Sequence, residues 1–408
     1  MKVLHATHLF PPESRGGTQS YVAALAAHQR ERGWAVTVLS GTPDHSRAGT
    51  TSCDVHHGLE VRRLHRDLAT EGFSADVGAP ALEGRVAAEL DALGPDLIHV
   101  HHWNGLVWNL VALAKERGIR VVVTLHDLYT TCGRFFRMPD ARRFCADDVT
   151  FEDCARCVSA EVGGMDPAAL ATVLAERFRR YQDELARADA VLCVSEAQRR
   201  LLEGLPGFGD HGLRALPIGI PGGFGGRETP GPAPATLPLR LVNWGGLDPR
   251  KGVHVLLEAL RLVPEPTRFR VDLHGGGLGG AYHRELEALA AGRDVHFHGR
   301  YADEALLRFG REYDLAVFPF LAFETYGLVV DEALRLGMPV LTADHGAPPE
   351  RLGGRGASFP RGDAAALAER LDALAAEPSR LDAMRAAPHR AGDFEAHADA
   401  IEALYRAL

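Results

Sequence analysis

The segment DLAVFPFLAFETYGLVVDEALRLGMPVLT, residues 314–342, contains the pattern that decides the fold. It begins with an apolar run over Asp314–Phe318, continues through a loop that carries Glu324, and then shows helical spacing over Leu328–Leu336. A glycine ends the helix, and a second apolar run covers Pro339–Thr342. Both runs are apolar on both faces, as strands buried between helices are. The segment therefore predicts a strand–helix–strand unit of a parallel sheet.

The same alternation extends through most of the chain. Helical stretches such as Thr18–Arg32 and Ala168–Arg187 separate the apolar runs. We therefore predict an α/β protein with two doubly wound, Rossmann-like domains that bind a ligand at the carboxyl ends of their strands. The predicted strands are Val3–Thr7, Ala35–Ser40, Leu59–Leu64, Leu97–His101, Arg120–Leu125 and Ala190–Ser195 in the first half, and Leu239–Trp244, Phe269–His274, Asp294–His298, Asp314–Phe318 and Pro339–Thr342 in the second.

A glycine- and proline-rich segment separates the two halves. Residues 216–238, LPIGIPGGFGGRETPGPAPATLP, cannot sustain a helix or a central strand and predict a linker. Residues 1–215 then form an N-terminal domain, and residues 239–390 form a C-terminal domain. The tail, residues 391–408, has amphipathic helical spacing. We expect this helix to cross back onto the first domain, although it could also simply close the second.

Composition excludes several classes of protein. A length of 408 residues suggests two domains. The net charge of −9, without a basic block, argues against a nucleic-acid-binding protein. The sequence has no run of about 20 apolar residues, so we predict no transmembrane helix. The first residues, MKVLHATHLF, are typical of a first strand rather than a signal peptide. We expect a cytoplasmic protein, in which cysteines serve as thiols or metal ligands.

Glycine-rich turns follow several predicted strands. Gly16 and Gly17 precede a helix whose N-terminal N–H groups favour an anion, although a turn that merely needs glycine gives the same pattern. GGGLGG, residues 275–280, matches G-x-G-x-x-G and keeps an NAD-dependent oxidoreductase as an alternative. The match is weakly specific because nearly every residue is glycine. It also follows the second strand of its domain, whereas the dinucleotide fingerprint follows the first.

Two cations follow the first predicted strand of the second domain. Arg250 and Lys251 lie among glycines in NWGGLDPRKG, residues 243–252. Two cations beside a flexible backbone suit a diphosphate. A solvated surface turn would carry the same residues, so the pair supports a diphosphate site only together with other motifs.

Two carboxylates lie further along the second domain. Glu324 is expected in a loop at the mouth of the ligand site, and Glu332 one turn into the following helix. The backbone N–H groups near Gly327 and Leu328 suit a phosphate, while the carboxylates can accept hydrogen bonds from hydroxyl groups. A nucleotide sugar, with a diphosphate between hydroxyl-rich groups, meets both requirements. The alternative is a helix-terminal charge and a solvated helix face.

Together these motifs resemble the retaining glycosyltransferases of family four (glycosyl transferases group 1), which have the GT-B architecture. The resemblance rests on GGTQ at 16–19, GGLDPRKG at 245–252 and ETYGLVVDEALRLGMPVL at 324–341, with VTLHDL and ADAVLCVSE in support. It implies two Rossmann-like domains facing across a cleft, the first on the acceptor side. It also implies transfer of a sugar from a nucleotide-diphosphate sugar to a hydroxyl-bearing acceptor, such as a glycan, a lipid-linked glycan or a natural product.

The resemblance further implies residue roles. It implies no catalytic metal, because cations and backbone N–H groups would stabilise the departing diphosphate. The implied catalytic and donor-binding residues are Glu324 on the donor sugar, Glu332 on the ribose, Lys251 on the diphosphate, His126 near the reacting sugar, Gly16 and Gly17 near the donor phosphate or sugar, Arg250, Gly327 and Leu328 beside the phosphates, and Arg300 and Tyr301 beside the base.

Two positions depart from the family pattern. Gly246 lies where the family usually has arginine, and Gln19 lies where it usually has glutamate. A catalytically weakened nucleotide-sugar-binding protein is therefore an alternative to the enzyme. A nucleotide-sugar epimerase of the same fold is another.

The loop at about 132–157 is rich in cysteine. Its spacing, with Cys154 and Cys157 as C-x-x-C, predicts a structural zinc site that would order a loop without periodicity. An iron–sulfur cluster, free thiols or a redox pair are alternatives. The loop also mixes arginine with phenylalanine, which suits either self-packing or contact with an anionic acceptor or the inner membrane face. The four predicted zinc ligands are Cys132, Cys145, Cys154 and Cys157.

Overall fold

A computed structural model of the chain describes residues 1–14, 16–67, 80–140, 142–145, 149–162, 165–220 and 234–408. Most of the predicted linker, residues 221–233, lies outside these ranges. The chain divides into two compact units. The first comprises Met1–Pro139, Cys145–Pro221 and Phe394–Leu408, and the second comprises Asp140–Phe144 and Gly222–Asp393.

The first unit is built on a mostly parallel sheet. Its strands are β1 (Lys2–Thr7), β2 (Ala35–Gly41), β3 (Thr51–His56), β4 (Leu59–Leu64), β5 (Leu97–Val100), β6 (Arg120–Leu125), β7 (Ala190–Cys193) and β8 (Arg214–Ala215). Their order is β3-β4-β2-β1-β5-β6-β7-β8, and only β3 runs antiparallel to its neighbour among the described strands. Its helices are α1 (Gly17–Glu31), α2 (Pro80–Leu93), α3 (Leu110–Lys115), α4 (Phe151–Val162), α5 (Pro167–Arg187) and α6 (Glu196–Glu203).

The second unit has an all-parallel sheet in its described residues. Its strands are β9 (Leu239–Trp244), β10 (Phe269–His274), β11 (Val295–Gly299), β12 (Leu315–Phe318), β13 (Val340–Ala343) and β14 (Gly356–Phe359), in the order β11-β10-β9-β12-β13-β14. This order is that of a doubly wound, Rossmann-like sheet. The helices are α7 (Val253–Leu262), α8 (Ala281–Ala290), α9 (Asp303–Glu312), α10 (Leu328–Arg335), α11 (Ala364–Ala376) and α12 (Ser379–Ala386).

The last helix, α13 (Phe394–Ala407), belongs to the first unit. Its apolar face is buried, with Ala398, Ile401 and Tyr405 inaccessible to solvent. The Tyr405 hydroxyl also hydrogen-bonds to Nδ1 of His99 on the first sheet. The amphipathic spacing of the tail thus produces a helix that completes the core of the first unit.

The predicted α/β fold is confirmed, with differences at its edges. The hairpin β3–β4 turns at His57 and Gly58, whose φ angles of 47° and 78° are typical of a tight hairpin turn. β3 has no buried residue, so it lacks the apolar signal on which strand prediction depends. None of the helices in the described ranges has the length and apolar character needed to cross a membrane.

The strand orders locate the ligand-binding edges. In the second sheet β9 lies between β10 and β12, so the crossover direction reverses there. In the first sheet the same reversal occurs at β1, between β2 and β5. Open α/β sheets bind ligands at the carboxyl ends of the strands that flank such a reversal. The loops after β9 and β12, and those after β1 and β5, are therefore the places to look for function.

Candidate active site

The centre of the candidate site in the second unit is a pair of opposite charges. Lys251 Nζ lies 2.7 Å from Glu324 Oε1. The lysine side chain is 39% exposed and the glutamate side chain 16% exposed. The two residues come from the loops after β9 and β12, at the reversal of strand order. The topology therefore brings together two residues that lie 73 positions apart in the sequence.

A short turn positions Lys251. Residues Pro249–Lys251 form one 3-10 turn, and the Asp248 side chain accepts a hydrogen bond from the Arg250 backbone N–H at 2.8 Å. Asp248 also binds the Arg250 guanidinium, at 2.6 and 2.8 Å. The turn ends at Gly252, where φ is 72° and a Cβ would lie 1.8 Å from the Pro319 carbonyl oxygen. Arg250 is thus held by Asp248, while Lys251 extends toward Glu324.

The backbone of neighbouring loops fixes Glu324. The Arg250 carbonyl oxygen accepts hydrogen bonds from the N–H groups of Leu321 and Ala322, each at 3.0 Å. Glu324 forms an isolated parallel bridge with Gly346. At Gly346 φ is 81°, and a Cβ would lie 2.6 Å from the Glu324 carbonyl oxygen. A side chain at Gly346 would therefore displace the loop that carries the site carboxylate.

A buried ion pair holds the start of α10. Arg351 Nε binds Asp331, and the guanidinium also donates to the carbonyl oxygens of Tyr326 and Gly327. Asp331 further accepts from the Tyr326 hydroxyl at 2.7 Å and from the backbone N–H of Gly392 at 2.8 Å. Asp331 is fully buried and Arg351 is 4% exposed. This network fixes Gly327 and the N-terminus of α10 beside Glu324.

The second predicted carboxylate, Glu332, lies in α10 and accepts a hydrogen bond from Trp244 Nε1 at 2.7 Å. Trp244 ends β9 and is 2% exposed, with its ring packed against Phe309 and Phe318. The indole N–H can only donate, so it orients one carboxylate oxygen of Glu332. Sequence reasoning missed this partner, because nothing in the pattern of a buried strand distinguishes its last residue.

The glycine-rich loop after β10 has a structural explanation. At Gly275 φ is 157°, and a Cβ would lie 1.5 Å from the Gly245 carbonyl oxygen. The Leu247 N–H donates to the Gly276 carbonyl oxygen at 2.8 Å, and a Cβ at Gly277 would lie 2.9 Å from the Leu247 carbonyl oxygen. The backbones of the two loops therefore pack directly on one another. This close packing explains the glycines, and no bound dinucleotide is needed to account for them.

The residues predicted to face a base lie after β11. Arg300 is exposed and its Nε would lie 3.3 Å from a Cβ at Gly276. The Tyr301 ring packs near Phe309, with ring centroids 5.9 Å apart. Arg300 therefore lies next to the glycine loop of the second unit, and Tyr301 packs against α9. Their contact with a base stays a prediction.

In the first unit, Gly16 precedes α1 and Gly17 begins it. A Cβ at Gly16 would lie 2.6 Å from Gln19 Oε1, so the turn and the glutamine side chain are packed together. Gln19 is 7% exposed, and its Nε2 lies 2.7 Å from His8 Nε2. Gln19 is thus tied to the loop after β1.

The first unit also holds His126, directly after β6. Its Nε2 lies 3.1 Å from His101 Nδ1, and the Tyr21 ring lies 5.1 Å away between centroids. Burial lowers the pKa of His126 to about 3, so the imidazole is neutral at pH 7. The neighbouring His102 is 3% exposed and pairs with Asp127 at 3.1 Å.

The zinc prediction at the cysteines is not supported. All four are partly buried and none is in a disulfide bond, and burial raises the pKa of Cys154 to about 11, with the other three thiols adding to the shift. Cys154 and Cys157 lie three residues apart on α4 and pack with Phe151 against an apolar cluster shared with α5. Cys157 Sγ also accepts a hydrogen bond from Arg134 at 3.4 Å. In the described ranges, the three-ligand set with all atoms within 4.8 Å of one another consists of histidines instead.

The comparisons with known proteins agree with this geometry. The family model of glycosyltransferase family 4 matches residues 15–221, and that of the glycosyl transferases group 1 matches residues 238–377. Glycogen synthase of Mycobacterium tuberculosis (strain ATCC 25618 / H37Rv) is 27% identical over 406 residues, covering 93% of this chain and 87% of the relative.

Solved structures share the fold. Sucrose-phosphate synthase (tll1590) from Thermosynechococcus elongatus gives a TM-score of 0.67 at 20% identity, covering 100% of this chain and 98% of that one. Anabaena Alr3699/HepE in complex with UDP and glucose gives 0.62 at 19% identity, covering 100% of both chains. The two Rossmann-like sheets are those of GT-B glycosyltransferases. The chain belongs to glycosyltransferase family 4.

Proposed function

We propose that the protein is a retaining glycosyltransferase that transfers a sugar from a nucleotide-diphosphate sugar to a hydroxyl-bearing acceptor. The observation that carries this proposal is the Lys251–Glu324 pair, 2.7 Å apart at the reversal of strand order in the second unit. An ammonium and a carboxylate at one strand edge match a donor in which a diphosphate adjoins sugar hydroxyls. The UDP complex of Anabaena Alr3699/HepE, which has the same fold, supports a nucleotide donor.

Donor binding would exchange one set of contacts for another. Lys251 leaves Glu324 and binds the diphosphate, while Glu324 accepts hydrogen bonds from the hydroxyl groups of the sugar. Glu332, oriented by Trp244, accepts from the ribose. The backbone N–H groups at Gly327 and Leu328 contact the phosphates at the helix N-terminus. Lys251 thereby gains an anionic partner, and Glu324 gains hydrogen-bond donors.

The chemical step would be a substitution on one face of the sugar. The bond from the anomeric carbon to the diphosphate oxygen breaks, and a bond from the anomeric carbon to the acceptor oxygen forms. The departing diphosphate takes the proton of the acceptor hydroxyl. Lys251 stabilises the negative charge that develops on the leaving group. His126, neutral at pH 7, contributes a hydrogen bond near the reacting sugar rather than a charge.

A catalytically weakened nucleotide-sugar-binding protein is the second candidate. Gly246, where relatives of this family usually carry arginine, has no cationic side chain, and Arg250 is held by Asp248. The diphosphate would then meet one lysine from this turn instead of two cations. The oxidoreductase alternative is less well supported, because close packing of backbone accounts for the glycine loop after β10.

Release of nucleoside diphosphate tests the proposal. The purified protein is incubated with UDP-, GDP-, ADP- and TDP-sugars, alone and with oligosaccharide and lipid-linked acceptors, and the product is followed by proton NMR. One donor should be consumed, and the product should keep the anomeric configuration of the donor. Lys251→Met should abolish turnover. Tight binding of a nucleotide sugar without turnover of any acceptor would favour the binding protein, and inversion would contradict the retaining mechanism.

A further inference from the structure

Three histidines meet in the core of the first unit. His5 lies on β1, His99 lies beside it on β5 in the same register, and His101 follows β5. His5 and His99 are fully buried, and His101 is 1% exposed. Each offers one ring nitrogen, and these three nitrogens all lie within 4.8 Å of one another. We call this set the histidine cluster.

The spacing within the histidine cluster suits a small metal ion. His5 Nδ1 lies 3.0 Å from His101 Nε2. A zinc ion with Zn–N distances of about 2.0–2.1 Å in tetrahedral geometry holds two nitrogens roughly 3.3 Å apart. The first pair therefore needs to separate by only a few tenths of an ångström. The His99 nitrogen lies within 4.8 Å of the other two, so it needs to move by at most about 1.5 Å to reach the same spacing.

The outward-facing nitrogens already have partners of the kind that metal-binding histidines use. His5 Nε2 lies 2.8 Å from Gln29 Oε1, and His101 Nδ1 lies 3.1 Å from His126 Nε2. His99 has Thr124 Oγ1 at 2.7 Å from Nε2 and the Tyr405 hydroxyl at Nδ1, so one contact survives whichever nitrogen binds a metal. Such outer hydrogen bonds fix the ring orientation and tautomer of metal ligands.

The imidazoles are also in the protonation state that metal binding requires. Burial lowers the pKa of His5 to about 4, and holds those of His99 and His101 well below the usual value. The three rings are therefore neutral at pH 7, and a cation can bind their nitrogens without first displacing a proton from an imidazolium. Imidazole nitrogens suit zinc, copper, nickel and iron.

We propose that His5, His99 and His101 bind one divalent first-row transition ion, with zinc as the probe. The ion would lie where β1 and β5 meet, and Tyr405 would connect it to α13. Its depth in the core makes it a structural site that ties the C-terminal helix to the sheet. The proposal does not depend on the glycosyltransferase activity, because metal content and coordination are measured without any turnover.

Metal content tests the proposal. The full chain is produced with a purification tag that lacks histidine, in zinc-supplemented medium, and metals are measured by inductively coupled plasma mass spectrometry. We expect about one zinc per chain, retained on dialysis against a weak chelator. Less than about a tenth of an equivalent, both as purified and after refolding in zinc, would overturn the proposal and leave a metal-free hydrogen-bonded network.

Matched variants and spectroscopy locate the ion. His101→Gln should lose the zinc, whereas His296→Gln, at an exposed position of the second unit, and the double variant Cys154→Ser/Cys157→Ser should keep it. X-ray absorption of the wild-type protein decides the matter even where His101→Gln fails to fold. The expected first shell has nitrogen at about 2.0–2.1 Å and no sulfur at about 2.3 Å. Sulfur scattering, or loss of zinc in the cysteine variant, would overturn the proposal.

Discussion

The two units differ in the side chains that they place where the strand order of their sheets reverses. In the second unit, the reversal of strand order carries Lys251 and Glu324, which are charged and partly exposed. In the first unit, it carries His5 and His99, which are buried and neutral. A partly exposed charged pair can exchange its partner for a polar ligand at little cost to folding. Buried imidazoles joined by hydrogen bonds instead belong to the core, and their disruption costs stability.

This difference separates functional from structural consequences. Changes at the exposed pair should alter activity and leave the fold intact. Changes beneath it, or in the histidine cluster, should alter the free energy of unfolding first. The following predictions test that division, beginning with the largest expected effect.

The largest effect is expected from the buried pair beneath the site. Asp331→Ala leaves the Arg351 guanidinium buried without its carboxylate, and removal of one partner of such a pair costs about 3–5 kcal/mol. Chemical denaturation of the purified protein measures the loss. Glu312→Ala, which removes an exposed partner of Arg308, should change stability by less than about 1 kcal/mol. Equal stabilities of the two variants would contradict the structural role of Asp331.

Glu324→Gln should affect activity rather than stability. Loss of the carboxylate removes a group aimed at the donor sugar, and a reduction of kcat/KM by about 100-fold or more is expected. Thermal melting should change little, because the pair with Lys251 is partly exposed. Nucleotide binding, followed by calorimetry, should persist. Full activity in this variant would remove Glu324 from the catalytic residues.

Acid should destabilise the first unit. Burial lowers the pKa of His5 to about 4, of His126 to about 3 and of His397 to about 4, each from an ordinary value of 6.5. The folded state therefore resists protons that the unfolded state binds, so stability is highest above pH 6.5 and falls as the pH drops toward 4. Unfolding titrations between pH 8 and pH 4.5 measure this slope.

The slope has a matched control. His397→Gln should flatten it, because one depressed pKa is removed, and His296→Gln should leave it unchanged because that imidazole is about half exposed. If the free energy of unfolding of the wild-type protein does not change with pH, the histidines are not buried in neutral form.

The smallest predicted effect is a gain in affinity for the donor. Among the described residues, nothing lies within 4 Å of the position that a Cβ at Gly246 would take, and the residue is exposed. Gly246→Arg should therefore fold normally and add a charge-assisted hydrogen bond to the diphosphate, lowering the donor KM by roughly tenfold. Gly275→Ala, which would clash with the Gly245 carbonyl oxygen, should instead destabilise the second unit. An unchanged or raised KM in Gly246→Arg would show that the diphosphate does not approach this turn.

Local patterns predicted the central elements well, because a strand such as β12 is apolar on both faces. The exposed strand β3 carries no such signal. The zinc prediction at the cysteines is not supported, and local packing gives another account of their spacing: FEDCARCV has helical spacing, which places Cys154 and Cys157 on the side of α4 that packs against an apolar cluster shared with α5. The C-x-x-C spacing is therefore compatible with helix packing as well as with a metal site.

Contacts between distant segments were beyond local prediction. The alternation in IHVHH places His99 and His101 on one face of a strand, but the approach of His5 depends on β1 and β5 being neighbours. The bond between Trp244 and Glu332 spans 88 residues and depends on the crossover between β9 and β12. The Asp248 cap was readable from D-P-R-K, because aspartate before proline is a common helix start.

The most direct test of the central claim is thermal melting of the purified protein with UDP, GDP, ADP, TDP, their sugars and NAD(H). A ligand at about 100 times its dissociation constant adds roughly 2.7 kcal/mol of stability, which a melt detects. We expect stabilisation by one nucleoside diphosphate and its sugar, and loss of that stabilisation in Lys251→Met. Stabilisation by NAD(H) alone, or by no nucleotide at all, would contradict a nucleotide-sugar site at Lys251 and Glu324.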